Sequence, residues 1–169
     1  MRHGIILAGG VGSRLWPISR ESLPKQFQKL AGAKTLIQET FDRLAGVVDS
    51  NNIWVVTNAA FRHLALTQLP TVATNQILCE PVARNTAPAI GLALFSILRH
   101  DPKADIVSTH ADHFVGQPKV FTRSIKAGLN YISDQPNYLV TVGVKPTSPD
   151  TGLGYIKITD QIAEVAGPP

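Results

Sequence analysis

The chain has 169 residues, of which 44% are hydrophobic and 17% charged, and it carries a formal net charge of +4. This composition is typical of one soluble globular domain and excludes intrinsic disorder. The apolar runs are too short for a membrane span or a signal peptide, and the scattered basic residues form no nucleic-acid-binding stretch. We therefore expect a cytoplasmic protein that binds neither a membrane nor nucleic acid and that acts on anionic small molecules.

Short apolar runs alternate with helical patterns along the chain, the order typical of an α/β fold with a mainly parallel sheet. The predicted strands cover residues 4–8, 53–57, 76–79, 105–108, 138–144 and 154–159. The predicted helices cover residues 35–47, 59–69, 86–99 and 118–133. Because ligands bind beyond the carboxyl ends of parallel strands, the loops after the first four strands are expected to share one rim.

Three glycines, Gly9, Gly10 and Gly12, follow the first predicted strand. Such a bare backbone lets N–H groups approach a phosphate closely. The spacing matches neither the dinucleotide-binding motif G-x-G-x-x-G nor the P-loop motif G-x-x-x-x-G-K-[ST]. On the glycines alone, a phosphate-binding loop and a plain strand-to-helix turn are both open.

Two cations, Arg14 and Lys25, flank the irregular segment that follows the glycines. The guanidinium of Arg14 can hold phosphate oxygens in pairs, whereas Lys25, after the stiffening Pro24, provides a point charge. Together with the glycines, these cations favour a triphosphate site. For Lys25 alone, a solvated surface lysine is the alternative.

The stretch LAGGVGSRLWPISRESLPKQF at residues 7–27 closely resembles the signature of sugar-nucleotide pyrophosphorylases, in the form of their mannose-1-phosphate guanylyltransferase branch. Three more stretches agree in order: EPVARNTAPAI at 80–90, ADH at 111–113 and VGVKPT with TGLGYI within 142–156. The resemblance implies a Rossmann-like, GT-A-like nucleotidyltransferase fold, a three-layer sandwich. Residues 1–169 would form the N-terminal, nucleotide-binding portion of that domain.

The resemblance further implies guanylyl transfer from GTP to mannose 1-phosphate, which gives GDP-mannose and pyrophosphate. Arg14, Lys25 and Asp112 are implied as catalytic residues, and Asp112 as the ligand of a Mg²⁺ cofactor. The implied nucleotide-binding residues are Leu7, Ala8, Gly9, Gly10, Gly12, Ser13, Arg14, Lys25, Glu80, Arg84 and Asn85. The implied sugar-binding residues are Gly143, Gly152, Gly154 and Tyr155.

Glu80 ends a predicted strand, where its carboxylate can accept from both N1–H and the exocyclic amine of guanine, a donor pair that adenine lacks. The alternative is a carboxylate favoured by the dipole of the next helix. Asn85 is expected to cap that helix, to contact the ligand, or both.

Asp112 is a carboxylate of the kind that Mg²⁺ prefers, whereas His113 is expected to be structural, because imidazole is a poor ligand for that ion. Two positions depart from the family wording. His110 stands where PADH has proline, which loosens the turn before Asp112, and Leu153 stands where TGYGYI has an aromatic residue.

The family continues with an F-x-E-K-P segment and a second metal-binding aspartate that this sequence lacks. We therefore expect a C-terminally truncated fold that is weak or inactive alone and whose unpaired sheet edge favours homo-oligomers. Two alternatives stay open. One is a non-catalytic nucleotide-binding module or regulatory paralogue, and the other is a pyrophosphorylase for another nucleoside triphosphate or sugar phosphate.

Overall fold

A computed structural model of the protein describes residues 1–10, 16–20, 22–30 and 32–158. The predicted nucleotide-binding residues Gly12, Ser13 and Arg14 lie outside this part of the chain, as does the last residue of the predicted strand 154–159.

Four parallel strands form one sheet in the order β3-β2-β1-β4. They are β1 at Arg2–Leu7, β2 at Ile53–Asn58, β3 at Ile77–Glu80 and β4 at Asp105–His110. At the carboxyl end of the central strand, Leu7 pairs with Val56 of β2 and with His110 of β4. The parallel α/β architecture predicted from the alternation of elements is therefore confirmed.

Four helices cover the two faces of the sheet: α1 at Leu36–Ala45, α2 at Arg62–Gln68, α3 at Thr86–Leu98 and α4 at Pro118–Asp134. Neighbouring strand residues point to opposite faces. Ile6 therefore packs in a core with α1, α2 and α4, whereas Ile5 packs in a second core with α3. These two cores make the structure a three-layer sandwich.

Leu44 of helix α1 packs directly against β1 because Gly4 has no side chain. A Cβ atom at Gly4 would lie 2.5 Å from Cδ2 of Leu44, a fully buried residue of α1. This close approach fixes α1 over the amino-terminal half of the central strand, while the other end of that strand is left to the functional site.

The two last predicted strands are wrong. Residues 138–144 and 154–158 form neither strand nor helix, and most of their large apolar side chains are exposed. Valine and isoleucine give these segments a high strand propensity, but a strand also requires a partner for its backbone hydrogen bonds. β4 ends the sheet, and within residues 32–158 no segment pairs with its outer edge.

Candidate functional site

The carboxyl ends of the four strands form one rim, and the glycine loop begins there. The N–H group of Ala8 donates to the carbonyl oxygen of Val56 at 2.7 Å, so the β1–β2 pairing continues just past the strand. The hydroxyl of Thr57 donates to the carbonyl of Ala8 at 3.0 Å. These contacts fix the first turn of the loop against β2.

Gln26 holds the start of the glycine loop by hydrogen bonds to its backbone, a role that the sequence did not predict. Its side-chain amide donates to the carbonyl oxygens of Ala8 at 2.9 Å and of Gly10 at 2.8 Å, and the residue is only 2% exposed. Because a trans peptide directs its C=O and N–H in opposite directions, the N–H of Gly9 points away from Gln26. The only available signal was the position of Gln26 between Lys25 and Phe27 in the resembling stretch.

Lys25 begins a single 3₁₀ turn, Lys25–Phe27, that follows the extended Pro24. The turn directs Gln26 and Phe27 inward, where the ring of Phe27 lies 6.1 Å from that of Phe61. Lys25 is left half-buried at the rim, with its Nζ atom 2.7 Å from Oδ2 of Asp112. The solvated surface lysine that was the alternative for this position is therefore not what the structure has.

Asp112 follows β4, and the sheet holds the residue before it. The N–H group of Ala111 donates to the carbonyl of Leu7 at 2.9 Å. Partial burial by itself would raise the pKa of Asp112, but the hydrogen bond and the charge of Lys25 outweigh it and hold that pKa below its ordinary value. The carboxylate is thus ionised and paired at neutral pH.

Two histidines flank Asp112. The rings of His110 and His113 are 5.3 Å apart, and Nε2 of His113 lies 3.8 Å from Oδ1 of Asp112. Partial burial lowers the pKa of His113, and the charge of Asp112 opposes that shift without cancelling it. His113 is therefore neutral at neutral pH and adds no fixed positive charge beside the carboxylate.

Glu80 lies at the end of β3 and is 8% exposed. A Cβ atom placed on Gly9 would be 3.0 Å from Oε2 of Glu80, so the glycine allows the carboxylate to lie directly against the loop. Within the part of the chain that the structure describes, no hydrogen bond or ion pair occupies the Glu80 side chain. A carboxylate so deeply set gains from a hydrogen-bond donor supplied by a ligand.

Asn85 stands at the N-cap position of α3, but its side chain makes no capping hydrogen bond, so the predicted side-chain cap is wrong. Its backbone has φ 66° and ψ −168°, a region that only glycine adopts without strain. Arg84 and the rest of residues 81–88 are exposed. The N–H groups of the first turn of α3 are therefore not capped by the asparagine.

The structure does not bring the four implied sugar-binding residues to the rim. Gly143, Gly152, Gly154 and Tyr155 lie in the exposed segment 138–158. The hydrogen bonds of this segment are local: the hydroxyl of Tyr155 donates to the carbonyl of Asp150 at 2.9 Å, and the N–H of Gly152 donates to Oδ1 of Asp150 at 2.8 Å. Asp150 and Gly152 thus belong to one tight turn.

For a divalent ion, the described residues around Asp112 provide a single carboxylate and not a protein cage. Over residues 1–10, 16–20, 22–30 and 32–158, no group of three or more His, Cys, Asp or Glu side chains is arranged to hold a metal. Mg²⁺ is commonly bound by one or two carboxylates together with substrate phosphates and water. The Oδ1 atom of Asp112 accepts no hydrogen bond from the described residues. Asp112 therefore suits an ion that is bound mainly by phosphates and water.

Among the described residues, the helices are all too short or too polar to cross a membrane.

Comparison of the sequence with known proteins finds relatives that agree with the resemblance described above. The chain is 42% identical over 155 residues to mannose-1-phosphate guanylyltransferase of Klebsiella pneumoniae and 41% identical over 155 residues to the xanthan biosynthesis protein XanB of Xanthomonas campestris. Each alignment covers 90% of this chain and 32% of the relative. The chain thus spans about a third of the length of the curated relatives that it matches.

Solved structures agree with the fold. A crystal structure described as mannose-1-phosphate geranyltransferase from Thermus thermophilus superposes with a TM-score of 0.70 at 30% identity, over 79% of this chain and 38% of that chain. Mannose-6-phosphate isomerase from Helicobacter pylori gives a TM-score of 0.66 at 28% identity, over 89% of this chain and 53% of that chain. The resemblance found in the sequence is confirmed.

Residues 3–166 match the family described as Nucleotidyl transferase, and the parallel sheet, the rim and the relatives agree with that match. The chain therefore belongs to the nucleotidyl transferase family.

Proposed function

We propose that this chain is the nucleotide-binding portion of a mannose-1-phosphate guanylyltransferase. The observation that supports the proposal is the ion pair of Lys25 and Asp112 at 2.7 Å, because it brings a cation suited to phosphate and a carboxylate suited to a divalent ion to one point of the rim. The choice of sugar phosphate follows the relatives, which are mannose-1-phosphate guanylyltransferases.

In the proposed reaction, an oxygen of mannose 1-phosphate attacks the α-phosphorus of GTP. A new phosphorus–oxygen bond forms there, and the bond from that phosphorus to the oxygen that bridges to the β-phosphorus breaks. GDP-mannose and pyrophosphate are the products. No covalent bond to the protein is required, so the residues act by positioning and by charge.

Each rim residue has a role in this proposal. The N–H of Gly9 holds the phosphates that leave as pyrophosphate, together with Arg14, which the sequence resemblance implies and which lies outside the described residues. Lys25 exchanges its contact with Asp112 for a phosphate oxygen, since an ammonium group carries three donors and is not bound to one geometry. Asp112 is the residue that would hold Mg²⁺, which when bound neutralises charge on the phosphates.

Glu80 reads the base in the same proposal. Its carboxylate is nearly buried, lies against Gly9 and has no donor from the described residues. Guanine offers two adjacent donors, N1–H and the exocyclic amine, and adenine offers no such pair. Leaving a buried acceptor unmatched is expected to discriminate strongly against ATP.

A second candidate, a non-catalytic nucleotide-binding module, rests on a specific observation. The residues implied to bind the sugar lie in an exposed segment with local hydrogen bonds only. In that reading the chain binds GTP at the rim and transfers nothing. Incubation with GTP, Mg²⁺ and mannose 1-phosphate tests the module, because any GDP-mannose formation above the protein-free background contradicts it.

The base assignment is tested by calorimetric titration of the chain with GTP, ATP, UTP and dTTP, with and without Mg²⁺. We expect GTP to bind at least about tenfold more tightly than the others, and E80Q to remove that preference, because the amide puts a donor against the donors of guanine. D134N, which neutralises an exposed acid at the end of α4, is the control. Equal affinities of the wild type for all four nucleotides would overturn the guanine assignment.

A further inference from the structure

Arg43 is a nearly buried cation on the inner side of α1, 9% exposed. Its Nη2 atom donates to the hydroxyl of Thr40 at 2.6 Å and to the backbone carbonyl of His113 at 3.1 Å. Its Nη1 atom lies 4.0 Å from Oε2 of Glu39, and the guanidinium carbon lies 5.8 Å from the ring centre of Phe121. One side chain thus joins α1, α4 and the loop that carries Asp112.

This arrangement is unfavourable for a residue that serves stability alone. Burial lowers the pKa of Arg43, although Glu39 and Asp42 oppose the shift. Its Nε atom is buried and has no hydrogen-bond partner among the described residues. An apolar side chain of similar length would fill the same space without either penalty. What an apolar side chain cannot do is donate to the His113 carbonyl.

The His113 carbonyl matters because it belongs to the residue directly after Asp112. On the other side of Asp112, the N–H group of Ala111 is bound to the carbonyl of Leu7 in β1. The backbone is therefore anchored immediately before and immediately after Asp112, by the sheet on one side and by Arg43 on the other. Between the two anchors the carboxylate reaches Lys25.

We infer that Arg43 is a positioning residue for Asp112: it holds the loop at His113 so that the carboxylate faces the phosphate site. This inference rests on the proposed function, in which Asp112 binds the divalent ion of the nucleotide. Thr40, which is 1% exposed, orients the same Nη2 atom and belongs to the same device. Removing a support of this kind from a metal ligand lowers metal affinity about 10- to 100-fold.

The surroundings of Arg43 provide a matched control. A cleft of about 950 Å³ lies between α1 and α4, and its walls include Arg43, Arg123 and Lys126. Lys126 is an exposed cation of this cleft, and among the described residues it has no hydrogen bond or ion pair with the Asp112 loop. K126M therefore removes a positive charge from the same cleft while leaving the His113 carbonyl bound.

The test measures Mn²⁺ binding to the full chain by electron paramagnetic resonance, with saturating GTP, and GTP binding without metal by calorimetry. We expect R43M to weaken Mn²⁺ binding at least tenfold and to change metal-free GTP binding less than twofold. R43K, which retains donors, is expected to recover part of the loss, and K126M to match the wild type. If circular dichroism shows that R43M is not folded, Mn²⁺ binding and metal-free GTP binding are compared in T40V and R43K instead.

A double-mutant cycle separates positioning from a general loss of structure. In a D112N background, R43M is expected to cause no further loss of Mn²⁺ affinity, because Arg43 acts through that carboxylate. A folded R43M that binds Mn²⁺ like the wild type, or an equal additional loss in D112N, overturns the inference and leaves the proposed function standing. A wild type that binds GTP but holds no Mn²⁺ contradicts the proposed function itself.

Discussion

The ammonium group of Lys25 and the carboxylate of Asp112 are bound to each other at 2.7 Å. Each is also proposed to bind a ligand, Lys25 a phosphate oxygen and Asp112 a divalent ion. Lys25 comes from the segment after the glycine loop and Asp112 from the loop after β4. These two charges thus neutralise each other, and both partners must exchange this contact when a nucleotide and its metal bind.

The first prediction concerns that exchange. K25M is expected to raise the affinity for Mn²⁺ without nucleotide about fivefold, because Asp112 is freed, and to lower the affinity for GTP about tenfold. In the wild type, GTP is expected to tighten Mn²⁺ binding, and Mn²⁺ to tighten GTP binding by the same factor. Titrations of each ligand in the presence and absence of the other measure this coupling.

K29M is the control for that experiment, because Lys29 is an exposed cation in the same segment. It should leave both affinities near the wild-type values. Equal metal-free Mn²⁺ binding by K25M and the wild type would contradict a competing ion pair.

The second prediction concerns pH. Because the pKa of Asp112 is lower in the folded than in the unfolded chain, the unfolded chain binds a proton there more readily. The stability from the Lys25 pair is therefore fully present above the ordinary carboxyl pKa of 3.8 and is lost as the pH falls through the lower folded value. For this half-exposed pair we expect at most about 1 kcal/mol.

Denaturant unfolding of the wild type and D112N from pH 7 to pH 3 measures this difference. The wild type should be the more stable at pH 7, and the gap should close below the ordinary carboxyl pKa. A gap that stays constant over the whole range would show that the carboxylate's charge is not its source.

The third prediction concerns the contact between Gly9 and Glu80. An added methyl group at Gly9 would lie 3.0 Å from Oε2 of Glu80 and must displace that carboxylate, whereas one at Gly10 meets nothing within 4 Å. G9A is expected to reduce the preference for GTP over ATP about tenfold, and G10A to preserve it. Competition binding measures the preference as a ratio, so a general loss of phosphate affinity cancels. A preserved ratio in G9A would contradict the placement of the base beside Glu80.

The fourth prediction concerns Asn85, whose backbone is held at φ 66°. N85G should be as stable as the wild type or more stable, because glycine adopts this conformation without strain, while N85A keeps the strain and should be about 1 kcal/mol less stable than N85G. Thermal or denaturant unfolding of the three proteins gives the order. Equal stability of N85A and N85G would mean that the positive φ carries no strain.

Much of the fold was predictable because its signals are local. The buried strand patterns and helical spacings give β1 to β4 and α1 to α4 with small shifts at their ends; β4, for instance, runs to His110 instead of ending at Ser108. Strand pairing is not local. The β-branched composition of residues 138–144 therefore predicted a strand wrongly, because composition shows strand propensity but not whether a partner strand is available.

The site was predictable in part. Parallel topology alone predicts that the loops of β1 and β4 meet, and Asp112 does lie beside Lys25. Arg43 was not predictable, because a cation in the last turn of a helix is ordinarily a solvated residue that favours the helix dipole. Only the fold shows that this turn faces the His113 carbonyl.

Gln26 and Lys25 contribute to anion binding in two different ways. The neutral amide of Gln26 fixes the carbonyls of Ala8 and Gly10, so the backbone geometry of residues 8–10 does not depend on pH or ionic strength. The attraction by Lys25 is ionic and weakens as salt is added. Added salt should therefore weaken phosphate binding while leaving intact the backbone geometry of residues 8–10.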